Sequence, residues 1–237
     1  MKTVTMKGQT SNNLGLIVVD SERPLFPEFN EDYRQVEGRD IRSHHWGELH
    51  AAQVRVRFLK KNDSSADWLS DRRAIVSWLF SKEEHEIAFD DEPDHTFVGK
   101  VTGTDIPENY KPDVSFWVTF TLHPFRYGAT ISRPLTSGTA EVVNAGTYET
   151  PYTLTITPTA TAQGFTLTIN DNAITYNGVL LSGHPITVDA DALEVRVGDE
   201  LKVKEVDGGF ALLQGGVNTI SLDIPADVSI TYTERSL

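Results

Sequence analysis

The chain has 237 residues, no cysteine, and a formal net charge of -13 from 34 acids and 21 bases. At 39% hydrophobic and 23% charged residues it can bury one large core or two small ones and stay in solution. The acidity argues against nucleic-acid binding, which needs clustered Lys and Arg, and the missing cysteines exclude disulfides, thiolate nucleophiles and Cys-based zinc sites.

The opening MKTVTMKGQT lacks an apolar stretch, so no signal peptide is expected. LGLIVV, residues 14–19, is far too short to cross a bilayer, and no membrane insertion is expected. SHHWGELH, residues 43–50, reads as a strand carrying Trp46 inward. Its adjacent His44 and His45 would point to opposite faces and so share no ion easily. In QVRVRFL, Val54, Val56 and Phe58 alternate with Arg55 and Arg57, the pattern of a half-buried strand. One helix is expected over residues 65–82. Trp68, Ile75, Val76 and Leu79 form its apolar face, Ser64 or Ser65 its N-cap, and Asp67 stands near the positive end of its dipole.

SKEEHEIAFDDEPDHTF, residues 81–97, looks most like chemistry. Seven carboxylates fall between Glu83 and Asp94, with His85 and His95 in or beside them. The run has neither the acid order of an EF-hand nor the His-Glu-x-x-His pattern. Strand alternation puts Ile87 and Phe89 on a core face and Glu86, Ala88 and Asp90 outside, and residues 90–94 are turn chemistry. A solvated or inter-subunit acidic face is expected. Further strands are expected at residues 86–90, 95–102 and 114–123. No nucleophile elbow or phosphate loop occurs in the chain. No catalytic, cofactor-binding or metal-ligating residues are expected, and no enzyme.

The composition changes near residue 130. All four tryptophans precede it, threonines number 8 before and 17 after, and basic residues split 16 to 5. Two domains are expected, 1–130 and 131–237, joined by a linker in RYGATISRPLTSG, residues 126–138. The second half reads as short strands at 140–143, 152–157, 165–169, 173–176, 179–182, 201–206, 210–214, 218–224 and 228–233. Hairpin turns are expected at Asn177-Gly178 and at Asp207-Gly208-Gly209. The class is mainly β: an N-terminal β domain with one helix, then a β-sandwich of jelly-roll type.

Several stretches together resemble the siphophage distal tail protein family. They are VEGRDI at 36–41, AIVSWLFSKEEHEIAFDDEPDHTFVGKVTG at 74–103, FWVTFTLHPFRYG at 116–128, VVNAGTYETPYTLTITPT at 142–159, and LQGGVNTISLDIPADVSITYTERSL at 213–237. The chain departs from the family pattern at Ile41 and Gly215, where Gly and Pro are usual. The resemblance implies a ring-forming N-terminal domain with an extended arm, and a galectin-like C-terminal sandwich. It implies a homo-hexameric ring at the phage tail tip. The ring would join the tail tube and tape-measure proteins to a baseplate, tail-associated lysin or receptor-binding assembly. Assembly would take place in the bacterial host cytoplasm. The arm falls between Pro24 and Trp46, with Phe26, Phe29, Tyr33, Arg39 and Trp46 as its candidate inter-subunit residues. The alternative is a carbohydrate-binding module for host attachment, since a galectin-like sandwich suggests sugar binding.

Overall fold

The computed structural model describes the chain except residues 36–41, 63–64, 106–107, 111–112, 137 and 203, and except the side chains of 30–47, 63–67 and 106–112. It divides into two compact units, Met1–Tyr127 with the terminal Leu237, and Gly128–Ser236.

The first unit runs β1 Val4–Met6, β2 Gln9–Thr10, a 3-10 turn Ser11–Leu14, β3 Leu16–Glu22, β4 Phe29–Gln35, β5 Arg42–Leu49 and β6 Ala52–Lys60. The helix α1 Ser65–Leu79 follows, then β7 His85–Phe89, β8 Phe97–Thr104, β9 Glu108–Tyr110 and β10 Asp113–Leu122. Its main sheet has the order β2-β1-β7-β8-β10-β6-β3, with β9 added on β10. Alternation in β6 works as the sequence predicts. Val54, Val56 and Phe58 are buried, while Arg57 bonds Ser115 Oγ at 3.0 Å and Arg55 lies over the Trp117 ring at 4.8 Å. In β7, Ile87 and Phe89 are likewise buried and Glu86 and Asp90 exposed.

The helix lies over this sheet through aromatic contacts. Trp78 meets Phe58 edge-on with centroids 6.1 Å apart, and Trp68 meets Phe116 at 6.1 Å. The Trp78 indole N–H donates to the Met6 carbonyl at 3.1 Å, so the ring is buried with its polar atom satisfied. Lys7 Nζ donates to the Phe80 and Ser77 carbonyls and closes the helix C-terminus. The buried face keeps Ile75, Leu79 and the packed Trp68 of the face the sequence suggests, with one exchange: Val76 faces out and Trp78 in. The expected cap at Ser64 or Ser65 and the Asp67 contact involve side chains outside the described residues.

Among the described residues, β4 and β5 pair only with each other, in a separate two-stranded sheet with Tyr33 opposite His44 and Glu31 opposite Trp46. This hairpin occupies the stretch read as an arm.

The second unit holds two sheets around one core. One contains β11 Arg126–Leu135, β13 Tyr152–Pro158, β16 Ile186–Asp189, β17 Glu194–Val197, β18 Glu200–Leu201 and β21 Ala226–Ser236. Its order is β11-β21-β13-β16-β17-β18. The other contains β12 Thr139–Asn144, β14 Ala162–Ile169, β15 Asn172–Leu180, β19 Val206–Gly208 and β20 Gly216–Leu222, in the order β12-β20-β14-β15-β19. Inward residues of both sheets, among them Leu154, Ile156, Ile230, Leu167 and Ile220, share the core, as in a β-sandwich.

Three local expectations are overturned. Residues 126–135 are a strand paired on β21, not a linker. Asn177-Gly178 lies inside β15, where a register irregularity near Gln163 and Phe165 absorbs it. The hairpin turn is instead Asn170-Asp171, with Ile169 opposite Asn172 and Asn170 at φ 53°. Asp207-Gly208 does not turn a hairpin either: β19 runs along β15, with Asp207 opposite Thr175. Gly208 there has φ 100°, and a Cβ on it would meet the Ala173 carbonyl.

Candidate assembly surface

The acidic run is only partly a solvated face. Glu92 accepts from Arg23 at 2.7 Å through one oxygen and from the Arg126 Nε at 2.8 Å through the other. Asp91 takes the second Arg23 nitrogen at 2.9 Å and lies 3.6 Å from the N-terminal amine. The Arg23 guanidinium also stacks over the Phe89 ring at 4.0 Å. Asp90 accepts from the Lys2 backbone N–H at 2.7 Å. Desolvation pushes its pKa up, but the Lys2 and Thr3 N–H groups and the N-terminal charge outweigh it, so the value lies below the ordinary one. Glu84 pairs with His123 Nε2 at 3.0 Å, and the other ring nitrogen of His123 contacts the Tyr127 hydroxyl. Glu83, Glu86 and Asp94 are exposed. Among the described residues no three His, Asp or Glu form a group that could hold a metal ion.

The clamp fixes the root of the arm. Arg23 is the last residue before Pro24-Leu25-Phe26-Pro27. These residues line a small cavity with Ala52, Val54, Leu122, Pro124 and Arg126. Both ends of the β4–β5 hairpin therefore meet the body at one place. Beyond the clamp Leu25 and Phe26 are exposed, and Phe26 packs on Phe29 with centroids 6.5 Å apart.

Of the residues the sequence nominated, Phe26 and Phe29 thus lie together at the arm root. Tyr33 and Trp46 lie on β4 and β5, with side chains outside the described residues, and Arg39 lies wholly outside them. Sequence reasoning missed the Arg23–Glu92–Arg126 clamp, whose members are 69 and 34 residues apart. It also missed the outer stripe of α1, Leu69, Val76 and Phe80, all exposed. The stripe was visible as a second helical period, but that period competes with the core face.

In the second unit the recognisable motifs fasten turns. Asn218 is fully buried; its Oδ1 accepts from the Gln214 N–H at 2.8 Å and from Asn170 Nδ2 at 3.0 Å. Its Nδ2 donates to the Gln214 and Gly216 carbonyls at 2.8 and 3.1 Å. Asn144, also buried, accepts from the Gly146 N–H at 3.0 Å and donates to the Tyr148 carbonyl at 3.1 Å. A Cβ on Gly146 would strike the Arg235 backbone. Burial raises the pKa of Tyr152, Tyr176 and Tyr232 above the ordinary tyrosine value. Of the unit's six aromatic side chains, Tyr152, Phe165, Tyr176 and Tyr232 belong to the core, and Tyr148 and Phe210 are half-buried.

Residues 12–122 match the phage tail protein RIFT-related domain, and residues 145–235 match the siphovirus-type tail component, C-terminal domain. No curated protein sequence matches the chain. The fold is similar to that of the Dit protein of phage SPP1, described as a paradigm of the hub adsorption apparatus in phages infecting Gram-positive hosts. The two superpose over 100% of both chains with a TM-score of 0.84 at 17% identity. A chain of the phage P2 baseplate in its activated conformation aligns over 99% of this chain and 98% of its own, with a TM-score of 0.48 at 10% identity.

Proposed function

This chain belongs to the siphophage distal tail protein family and is a structural component of the phage tail tip; from that premise we propose that it closes into a homo-hexameric ring. The observation that carries the reading is the pair of domain matches, which follow each other in order and leave few residues uncovered. Residues 1–130 form the ring. Residues 131–237, the galectin-like sandwich, offer the surface on which other tail proteins dock. The ring links the tail tube and tape-measure proteins to the baseplate, tail-associated lysin or receptor-binding assembly. It assembles in the bacterial cytoplasm and leaves with the virion. The protein acts by binding, not by catalysis.

A ring of identical subunits needs a head-to-tail interface whose two faces differ and whose rotation closes. The arm supplies one such face, with Phe26, Phe29, Tyr33, Arg39 and Trp46 as its contact residues. No observation favours carbohydrate binding: the sandwich turns four of its six aromatic side chains inward and leaves only the half-buried Tyr148 and Phe210 toward the surface.

Light scattering across a concentration series tests the ring. The expected mass is six times 26.3 kDa. A strict monomer at every concentration, unchanged when the tail tube and tape-measure proteins are added, overturns it.

A further inference from the structure

The first unit carries a second apolar feature besides the arm root. β7 pairs with β8 only as far as His85 opposite Gly99. Among the described residues, this end of β8, Val101 to Thr104, pairs on one side only, with β10. The last turn of α1 stands over this open edge. Val76, Leu79, Phe80 and Ser81 from the helix side and residues 101–104 from the strand bound a groove of about 290 Å³. Val76 is 52% exposed, Phe80 68% and, on the same stripe, Leu69 65%. Arg72 and Arg73 stand exposed on that stripe between Leu69 and Val76. An apolar wall beside a half-paired strand suits an extended apolar segment, whose side chains enter the groove while its backbone meets the strand edge.

The chain has such a segment. Residues 24–28 run between β3 and β4, with Leu25 90% and Phe26 62% exposed and Glu28 exposed after them. In its own subunit the segment lies against Val54, Leu122 and Pro124, held there by the Arg23 clamp, and not in the groove. It leaves the sheet beside β6 and β3, at the Phe97 end of β8. The groove lies beyond β10, at the Thr104 end of β8. Donor segment and receiving groove thus sit apart on one sheet, as a head-to-tail contact requires. Their charges also match: Glu28 is the acid beside the apolar pair, and Arg72 and Arg73 are the bases beside the groove.

We propose that the groove between α1 and the open edge of β8 receives residues 25–28 of a second copy, with Leu25 and Phe26 filling it and Glu28 facing Arg72 and Arg73. This rests on the self-assembly argued above and names its receiving surface.

The absence of cysteine makes a clean test possible. The double variant Leu25→Cys with Val76→Cys is oxidised with diamide at concentrations where the parent self-associates. The expected result is a covalent ladder extending beyond the dimer, with neither single variant passing the dimer. No ladder, with the parent's solution mass retained, overturns the groove assignment and leaves the ring standing. No ladder from a protein that stays monomeric throughout overturns both. A monomer cross-linked within itself also overturns the assignment. Independently, Glu28→Arg is expected to weaken self-association at least tenfold, and Arg72→Glu with Arg73→Glu to restore it. Unchanged association of Glu28→Arg removes the charge pairing.

Discussion

The two units solve the same problem of covering β-sheets in opposite ways. The first covers one face of its sheet with a helix held by Trp68 and Trp78, and leaves apolar residues outside on the arm root and the outer helix stripe. The second packs two sheets on each other and turns its large aromatics inward. Its exposed apolar residues fall singly, as Leu193 does, or in small pairs such as Val143 opposite Val217. Scattered exposed apolar residues are ordinary, whereas an apolar stripe beside an unpaired strand edge is a surface waiting for a partner. The proposed self-association through the first unit rests on this contrast, whereas the buried polar motifs of the second fasten its turns.

The largest separation of the two should come from the aromatic core. Trp78→Ala removes a buried ring and leaves the Met6 carbonyl without its donor. It should cost about 3–5 kcal/mol and lower the midpoint of a first-unit thermal transition by about 10 °C or more. Scanning calorimetry should show the second-unit transition in place. A shift of both together would mean that the units melt as one. Asn218→Ala should act the other way round. It strips three hydrogen bonds from the turn at 214–216 and one from Asn170, and should cost about 1–3 kcal/mol, on the second-unit transition alone. An unchanged melt would mean the turn holds without its fastener.

The smallest effect near neutrality, and a way to sharpen the comparison in alkali, comes from the buried tyrosines. Their folded pKa values lie above 10.0, so the unfolded chain ionises first. The stability they contribute is complete below that pH and falls as the pH climbs from there toward the folded values. Circular dichroism between about pH 10 and 12 should therefore show the second unit loosening, together with the rise of tyrosinate absorbance. Tyrosinate absorbance beyond that of the other four tyrosines, with the sandwich intact, would show that these hydroxyls reach water in the native state.

Much of the secondary structure is legible in the chain. Strand alternation in β6 and β7 sorts Val54, Phe58, Ile87 and Phe89 inward because the side-chain period of a strand is two, whatever it packs against. The helix is legible, and so is its buried face at Trp68, Ile75 and Leu79, but not at Val76 and Trp78. Val76 and Trp78 each fit an apolar stripe, and only the sheet beneath decides which one is covered. The turns mislead for a related reason. Asn-Gly favours a hairpin locally, yet the pairing of β14 with β15 carries Asn177-Gly178 into a strand and puts the turn at Asn170-Asp171. Of the candidate site, Phe26 and Phe29 are visible as exposed aromatics in a Pro-rich stretch. The clamp is not, because Arg23, Glu92 and Arg126 meet only when β3, β7 and β10 are in place.

By itself the sequence determined the class: a mainly β chain with one helix, an aromatic first half and a Thr-rich second half. It also pointed to the family, through motifs of which two, around Asn144 and Asn218, are turn fasteners. These follow from local periods and from residues that satisfy nearby backbone groups, and such interactions need only short stretches of chain. The tertiary structure alone decided which charges pair, which helix face stays bare and where a strand edge remains open. Those depend on what lies opposite, and distant segments become opposite only when the sheet has formed.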